Sequence, residues 1–257
     1  NLGNNRFEEV SEAVGLIDKS WSGDASPIDF NRDGWQDLYV LSMQGHDEYY
    51  ENVEGRKFVR KSRDVFPATS WGAMGIKVFD FNNDDALDVY VTDMHTDMVD
   101  SAMQSARHWY AEKEKMTQNF PARVLATDGN HILGNALFRN DGGGKFTEVS
   151  DAVGVETYWP WGLSAGDLNA DGWEDLLVIN SMNFPFRYTP NSVLLNDHGI
   201  FRDSEFIVGV EPRHGGLTRL IFEIDCDTQA DYSTMSGRVC SGRTGKVHVY
   251  GARGSRS

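Results

Sequence analysis

Cysteine is almost absent from this 257-residue chain, with two residues, Cys226 and Cys240. There is no C-x-x-C and no His/Cys pair at zinc spacing, so a structural zinc site is not indicated. In an exported protein, closing the 14-residue separation of the two cysteines would stabilise the fold by roughly 3 kcal/mol. Two unrelated buried thiols are the alternative. Long apolar runs are also missing. None approaches the ~20 residues of a membrane helix, which argues against membrane insertion. Positive charge is scarce, 24 Lys and Arg against 39 Asp and Glu, for a net charge of −15. Such a surface repels phosphate backbones and anionic lipid heads, which argues against nucleic acid as a partner. Catalytic signatures are wanting as well. No G-x-S-x-G, H-E-x-x-H or Gly-rich phosphate loop occurs, and the seven histidines form no sequence-level triad. No catalytic residue is assigned.

What the chain does have is a repeated acidic phrase. "DFNRDGWQD" starts at Asp29, "DFNNDDALD" at Asp80 and "DLNADGWED" at Asp167. Each is followed at once by β-formers: "LYVLSM", "VYVTDM" and "LLVINSM". A second motif alternates with the first. It reads Asn, a Gly-containing turn, then Phe, and places Phe7, Phe58, Phe146 and Phe201. From each of the first three phenylalanines to the next acidic phrase the distance is 22, 22 and 21 residues. Spacing this constant marks a structural unit. Its four strands run into the acidic loop, out of it, through an "NALFRN"-like segment and through a "KFTEV"-like segment. Repeated four-stranded units predict an all-β fold, a fragment of a β-propeller of four-stranded blades.

The expected organisation is a partial blade over 1–20, blades over 21–66, 67–153 and 154–212, a Cys-containing insertion over 213–246 and the start of another blade over 247–257. On this reading the chain opens inside strand three of a blade, so its true N-terminus and any signal peptide lie upstream. The second blade is long: 87 residues separate Asp80 from Asp167, against 51 from Asp29 to Asp80. Met98, Ala102, Ala106, Trp109 and Met116 in the excess recur near helical spacing, which predicts a helical insert over 97–118.

The phrase D-x-N-x-D-x-x-x-D places hard oxygen donors at alternate positions, as calcium requires. The expected ligands are Asp29, Asn31, Asp33 and Asp37, then Asp80, Asn82, Asp84 and Asp88, then Asp167, Asn169, Asp171 and Asp175. Backbone carbonyls at Trp35, Ala86 and Trp173 complete the sets, for three Ca2+ sites. Gly34 and Gly172 permit the sharp turn at position six, where the second copy has Asp85. Position twelve is Val40, Val91 or Val178 and the flanks are strands, so these are not EF-hands. Plain acidic β-turns would explain one copy. Three copies with nine ligand-position aspartates would repel one another without a cation. A fourth near-match, Glu223, Asp225, Asp227 and Asp231, is discounted because no apolar strand follows it. Met43, Met94 and Met182, with His46 and His95, read as repeated packing residues rather than as a soft-metal site.

These loops, with Trp–Gly steps at Trp71 and Trp161 and "N-x-G-x-x-F" strands, resemble FG-GAP/VCBS repeats, the blades of integrin-α-type propellers. "LFRNDGGGKFTEVSDAVGV" and the "CDTQAD…VCSGRTGKVHVYGARGSRS" stretch look more narrowly like the cartilage-acidic-protein group, whose members often carry an ASPIC/UnbV domain. No such domain is present in this sequence. The resemblance implies a seven-bladed, calcium-stabilised propeller, extracellular, cell-surface or periplasmic, in adhesion or recognition of a protein or glycan. The family's calcium ligands carry over to all three loops, with Asp85 as the departure. Calcium in the strand one–two loops would then be structural. A ligand would bind the opposite face, where Tyr49, Trp109, Phe184, Phe186 and Tyr188 offer aromatics. The alternative is a calcium-dependent carbohydrate-active protein, a polysaccharide lyase or a lectin.

Overall fold

The fold is given by a computed structural model that describes residues 1–18, 20–94, 130–132, 134–157, 160–180 and 191–208, and the backbone of four strands beyond. Three four-stranded antiparallel sheets follow one another along the chain. The first is β1 (Ser22–Ile28), β2 (Asp37–Ser42), β3 (Glu48–Val53) and β4 (Lys57–Arg60), in that order. A short helix α1 (Ser62–Val65) and strand β5 (Ala68–Ser70) lead to the second. That sheet takes β6 (Ala73–Phe79), β7 (Asp88–Asp93), β9 (Ala136–Gly142) and β10 (Lys145–Glu148). Between β7 and β9 lies β8 (Asn130–Ile132), which pairs in parallel with β5 instead. After α2 (Ser150–Val153) comes the third sheet: β11 (Pro160–Gly166), β12 (Asp175–Asn180), β13 (Ser192–Asp197) and β14 (Ile200–Asp203), then α3 (Glu205–Val208). The chain is therefore all-β and built of propeller-type blades, as its repeats predict. The expected helical insert over 97–118 lies outside the described residues.

Local chemistry accounts for the strands. The second strand of each sheet, "DLYVLS", "DVYVTD" and "DLLVIN", is the most apolar, and in β7 and β12 every residue is buried. Strands covered on both faces lose the alternation of a half-exposed strand. The first strand of each sheet carries a register break at the same place, between Ser22 and Ala25, Ala73 and Gly75, and Pro160 and Leu163. A bulge there raises the local twist. It falls where the first strands of successive sheets, β1, β6 and β11, run side by side.

The core sits between sheets rather than within them. Between the first two, Phe66 is 1% exposed and packs on Tyr39, Tyr49, Phe30, Phe138 and Phe146. Between the second and third, Phe79, Phe81, Tyr90, Val153, Val155, Leu176, Leu194 and Phe201 form one cluster. Linkers bind neighbours too. Phe58 donates its N–H to the Val14 carbonyl at 2.7 Å, and the Tyr90 hydroxyl donates to the Val155 carbonyl at 2.7 Å. Gly154 adopts φ 78 in that second linker, where an added Cβ would stand 3.1 Å from the Phe201 carbonyl oxygen.

In the stretch expected as a partial blade, the described residues hold an isolated bridge, Gly3 to Arg6. Two sequence expectations change. Tyr49 is not a surface aromatic but 2% exposed core. A strand does follow Asp231: β15 (Arg219–Phe222) and β16 (Asp231–Thr234) form an antiparallel hairpin in which Phe222 faces Asp231. Ile28 faces Asp37, Phe79 faces Asp88 and Gly166 faces Asp175 in the same way. A further hairpin joins β17 (Arg238–Ser241) and β18 (Val247–Tyr250). Both hairpins fall largely within the stretch expected as a Cys-containing insertion. Glu223, Asp225, Asp227 and Cys226 lie outside the described residues.

Candidate metal centres

Each acidic phrase is the loop between strands one and two of its sheet, and the three loops fold alike. Positions four and six are left-handed in all three: Arg32 and Gly34, Asn83 and Asp85, Ala170 and Gly172, with φ from 56 to 88. Asp85 thus takes up the backbone conformation of the glycine it replaces, at φ 65. Position four is left-handed without glycine in any copy, and only Asn83 of the second is a residue type that favours this conformation. The two kinks turn side chains one, three and five toward the same backbone. The position-one carboxylate accepts the N–H groups of positions five and six: Asp33 and Gly34 on Asp29, Asp84 and Asp85 on Asp80, Asp171 and Gly172 on Asp167, at 2.8–3.1 Å. The position-five carboxylate accepts the N–H of position seven, from Trp35, Ala86 or Trp173. It also accepts the side-chain amide of position three, from Asn31, Asn82 or Asn169.

Position nine behaves differently. Asp37, Asp88 and Asp175 are buried, at 1%, 0% and 0% exposure. One oxygen of each accepts the N–H of position two, from Phe30, Phe81 or Leu168. The other accepts the N–H of an asparagine on strand three, Asn52, Asn140 or Asn196, at 2.7–2.8 Å. Asp37 also accepts the Tyr49 hydroxyl at 2.7 Å. Those asparagines belong to the second sequence motif. Their side-chain amides donate to the position-eight carbonyls of Gln36, Leu87 and Glu174. Their side-chain oxygens accept the turn amides of Gly55, Gly142 and Gly199. One residue therefore joins the acidic loop to the outer hairpin of strands three and four in the same sheet.

Burial sets the electrostatics of position nine. Withdrawal from water pushes Asp88 up to about 7, with the Asp84 and Asp80 charges adding to it and the two N–H bonds opposing. Asp175 is pushed up to about 6 for the same reasons, and Asp37 is raised. A nearby cation would relieve this penalty.

The residues present fit such a cation. The donors are hard oxygens, and Asn82 Oδ1 is buried without a hydrogen-bond partner. A buried oxygen left unpaired costs free energy unless something binds it. Among the described residues no three His, Cys, Asp or Glu side chains gather as a metal cluster on their own. The set needs the Asn oxygen and the position-seven carbonyl, while position nine can offer only lone pairs its N–H donors leave over.

In the first loop the position-seven side chain covers the outer turn. Gly55, at φ 68, lies under the Trp35 indole, and an added Cβ would stand 2.8 Å from its Cε3. Gly55→Ala is expected to cost about 1–2 kcal/mol in chemical denaturation, from the left-handed backbone and the collision together. Adding Trp35→Ala should recover the collision part. An unchanged midpoint for Gly55→Ala would show that the indole moves freely.

His46 and His131 stack at 4.0 Å. Near them, Asp47 is buried and accepts from Ser42 N–H and the Tyr39 hydroxyl. Met43 and Met94 directly follow β2 and β7; Met182 and His95 lie outside the described residues, as do Trp109, Phe184, Phe186 and Tyr188.

The FG-GAP-like repeat model matches residues 29–91 and 120–178, so all three acidic loops fall inside matched segments. The match is to the repeat and does not reach the cartilage-acidic-protein grouping. No curated protein matches the chain. Among solved structures, rhamnogalacturonan lyase YesW is similar at 15% identity and a TM-score of 0.42, over 88% of this chain and 41% of the lyase. The chain thus spans well under half of that protein, and a likeness this distant says nothing of activity. No helix among the described residues is long and apolar enough to cross a membrane. Repeated four-stranded blades and FG-GAP-like segments together make this a repeat protein of β-propeller type.

Proposed function

We propose that the three acidic loops bind calcium and that the ions hold together an exported recognition module. The observation that carries this is the likeness of the loops: the same two left-handed kinks and the same carboxylate contacts occur three times. The unpartnered Asn82 oxygen supports it. Calcium suits an all-protein oxygen cage better than magnesium, which keeps its waters. The ion's contribution is charge: it offsets the crowded carboxylates and stabilises the folded state by mass action.

Recognition rather than turnover is the proposed role, since repeats of this kind present loops from a rigid scaffold. The partner is a protein or glycan held outside the cell. Ligand contact is assigned to the face opposite the acidic loops, where the second strands end at Ser42, Asp93 and Asn180.

Ion counting tests the metal part. Native mass spectrometry in calcium should find three bound ions, and Asp33→Ala and Asp171→Ala should each remove one. Wild type without bound calcium at millimolar concentration would overturn the reading.

A further inference from the structure

The acidic loops touch one another in a directional way. Arg32, position four of the first loop, donates from its guanidinium to the Asp85 carbonyl, position six of the second. Asn83, position four of the second, donates from Nδ2 to the Gly172 carbonyl, position six of the third, at 3.1 Å. Donor and acceptor are thus the two left-handed positions of each loop. The acceptor carbonyl belongs to the peptide joining positions six and seven. The N–H of that same peptide holds the position-five carboxylate: Ala86 to Asp84 at 2.8 Å, Trp173 to Asp171 at 2.9 Å. Each side chain therefore lands on the peptide that fixes a ligand of the next loop. Hydrogen bonds at both ends of one peptide strengthen each other.

The second and third loops have two further links. The Glu174 carboxylate accepts the Asp80 N–H, and Asn196 Nδ2 donates to the Phe81 carbonyl at 2.8 Å. Leu87 stands where Glu174 stands in the third loop, so the second loop cannot offer the first an equivalent carboxylate.

Resting on the reading that these loops hold calcium, we propose that the sites are coupled: occupancy of the second loop raises the affinity of the third, through Asn83. That residue lies between two ligands, Asn82 and Asp84. An ion that fixes both fixes the Asn83 backbone and aims its amide at Gly172. By linkage the effect is reciprocal, the third site favouring the second. Ala170, at position four of the third loop, has no donor with which to pass the effect on.

The third site has its own reporter, because Trp173 sits at position seven and can sensitise bound terbium. The experiment uses Trp35→Phe protein, so that the first loop is dark, with Trp173→Phe as the control that removes the signal. Calcium heats are measured in parallel. Asp84→Ala, which disables the second loop, should weaken terbium binding at the third by about fivefold or more. Asp84→Asn is the milder variant should Asp84→Ala fold poorly. Asn83→Gly keeps the left-handed backbone but removes the donor; it should cause most of the same weakening, and Asp84→Ala should add little to it. Third-site affinity that stays within about twofold when the second loop is disabled overturns the coupling while leaving the sites intact. Absence of both terbium luminescence and calcium heat in the parent protein would overturn the calcium reading, and the coupling with it.

Discussion

Calcium-loaded protein should melt far above the same protein stripped of divalent ions. A ligand that binds only the folded state at one hundred times its Kd contributes about 2.7 kcal/mol per site, so three sites would contribute about 8 kcal/mol. At about 2–4 °C per kcal/mol for a chain of this size, the difference should exceed 15 °C. The stripped protein should also show a pH signature. Burial raises Asp88 to about 7 and Asp175 to about 6, from an ordinary value of 3.8, and raises Asp37. An acid whose folded value is raised favours the folded state while protonated. Its contribution is complete below about pH 4 and is lost as pH climbs through 6 to 7. Stripped protein should accordingly be more stable at pH 5 than at pH 8. Calcium, by favouring the ionised carboxylates, should flatten or invert that slope. Differential scanning fluorimetry with and without calcium, at both pH values, checks both expectations. Coincident melts would mean that the loops fold without an ion.

Phe66→Ala should be the most damaging single core substitution at the first blade junction. Its ring lies 4.7 Å from Phe146, 5.0 Å from Tyr39 and 5.2 Å from Phe138, and so touches two sheets at once. Deleting a buried phenylalanine costs about 3–5 kcal/mol when the cavity cannot collapse. Strands on either side are locked into separate ladders, which limits collapse here. Phe66 also packs on Phe30, which follows the first ligand of the first loop. The substitution should therefore weaken calcium at that loop before it affects the third. Urea denaturation gives the stability, and Phe66→Leu should recover most of it. A loss below about 1 kcal/mol would show that this ring is not central to the junction.

The repeated four-stranded sheets and the sharp acidic turns were legible because each rests on short-range rules. Alternating turn residues and β-branched runs announce strands, and the fixed offsets of Asp29, Asn31, Asp33 and Asp37 announce a sharp turn. What stayed hidden depends on contacts distant in sequence. Tyr49 reads as one aromatic of a polar loop, yet it is core and donates to Asp37. Asn52, Asn140 and Asn196 read as turn formers, yet they carry the bonds between loop and outer hairpin. The links from Arg32 and Asn83 to the next loop cross 53 and 89 residues, beyond the reach of periodicity. The strand after Asp231 was missed because "DYST" is too polar to stand out from a turn; its register partner Phe222 becomes visible only once the chain is folded.

The second sheet bears on what this architecture tolerates. Val91 pairs with Ala136 across residues 92–135, whereas Val40 pairs with Glu48 across 41–47 and Val178 with Ser192 across 179–191. The ladder is the same in each case although the bridging chain differs several-fold in length. Because closure entropy grows only slowly with length, this junction is a natural grafting point: foreign polypeptide spliced there would leave the remaining strands in step.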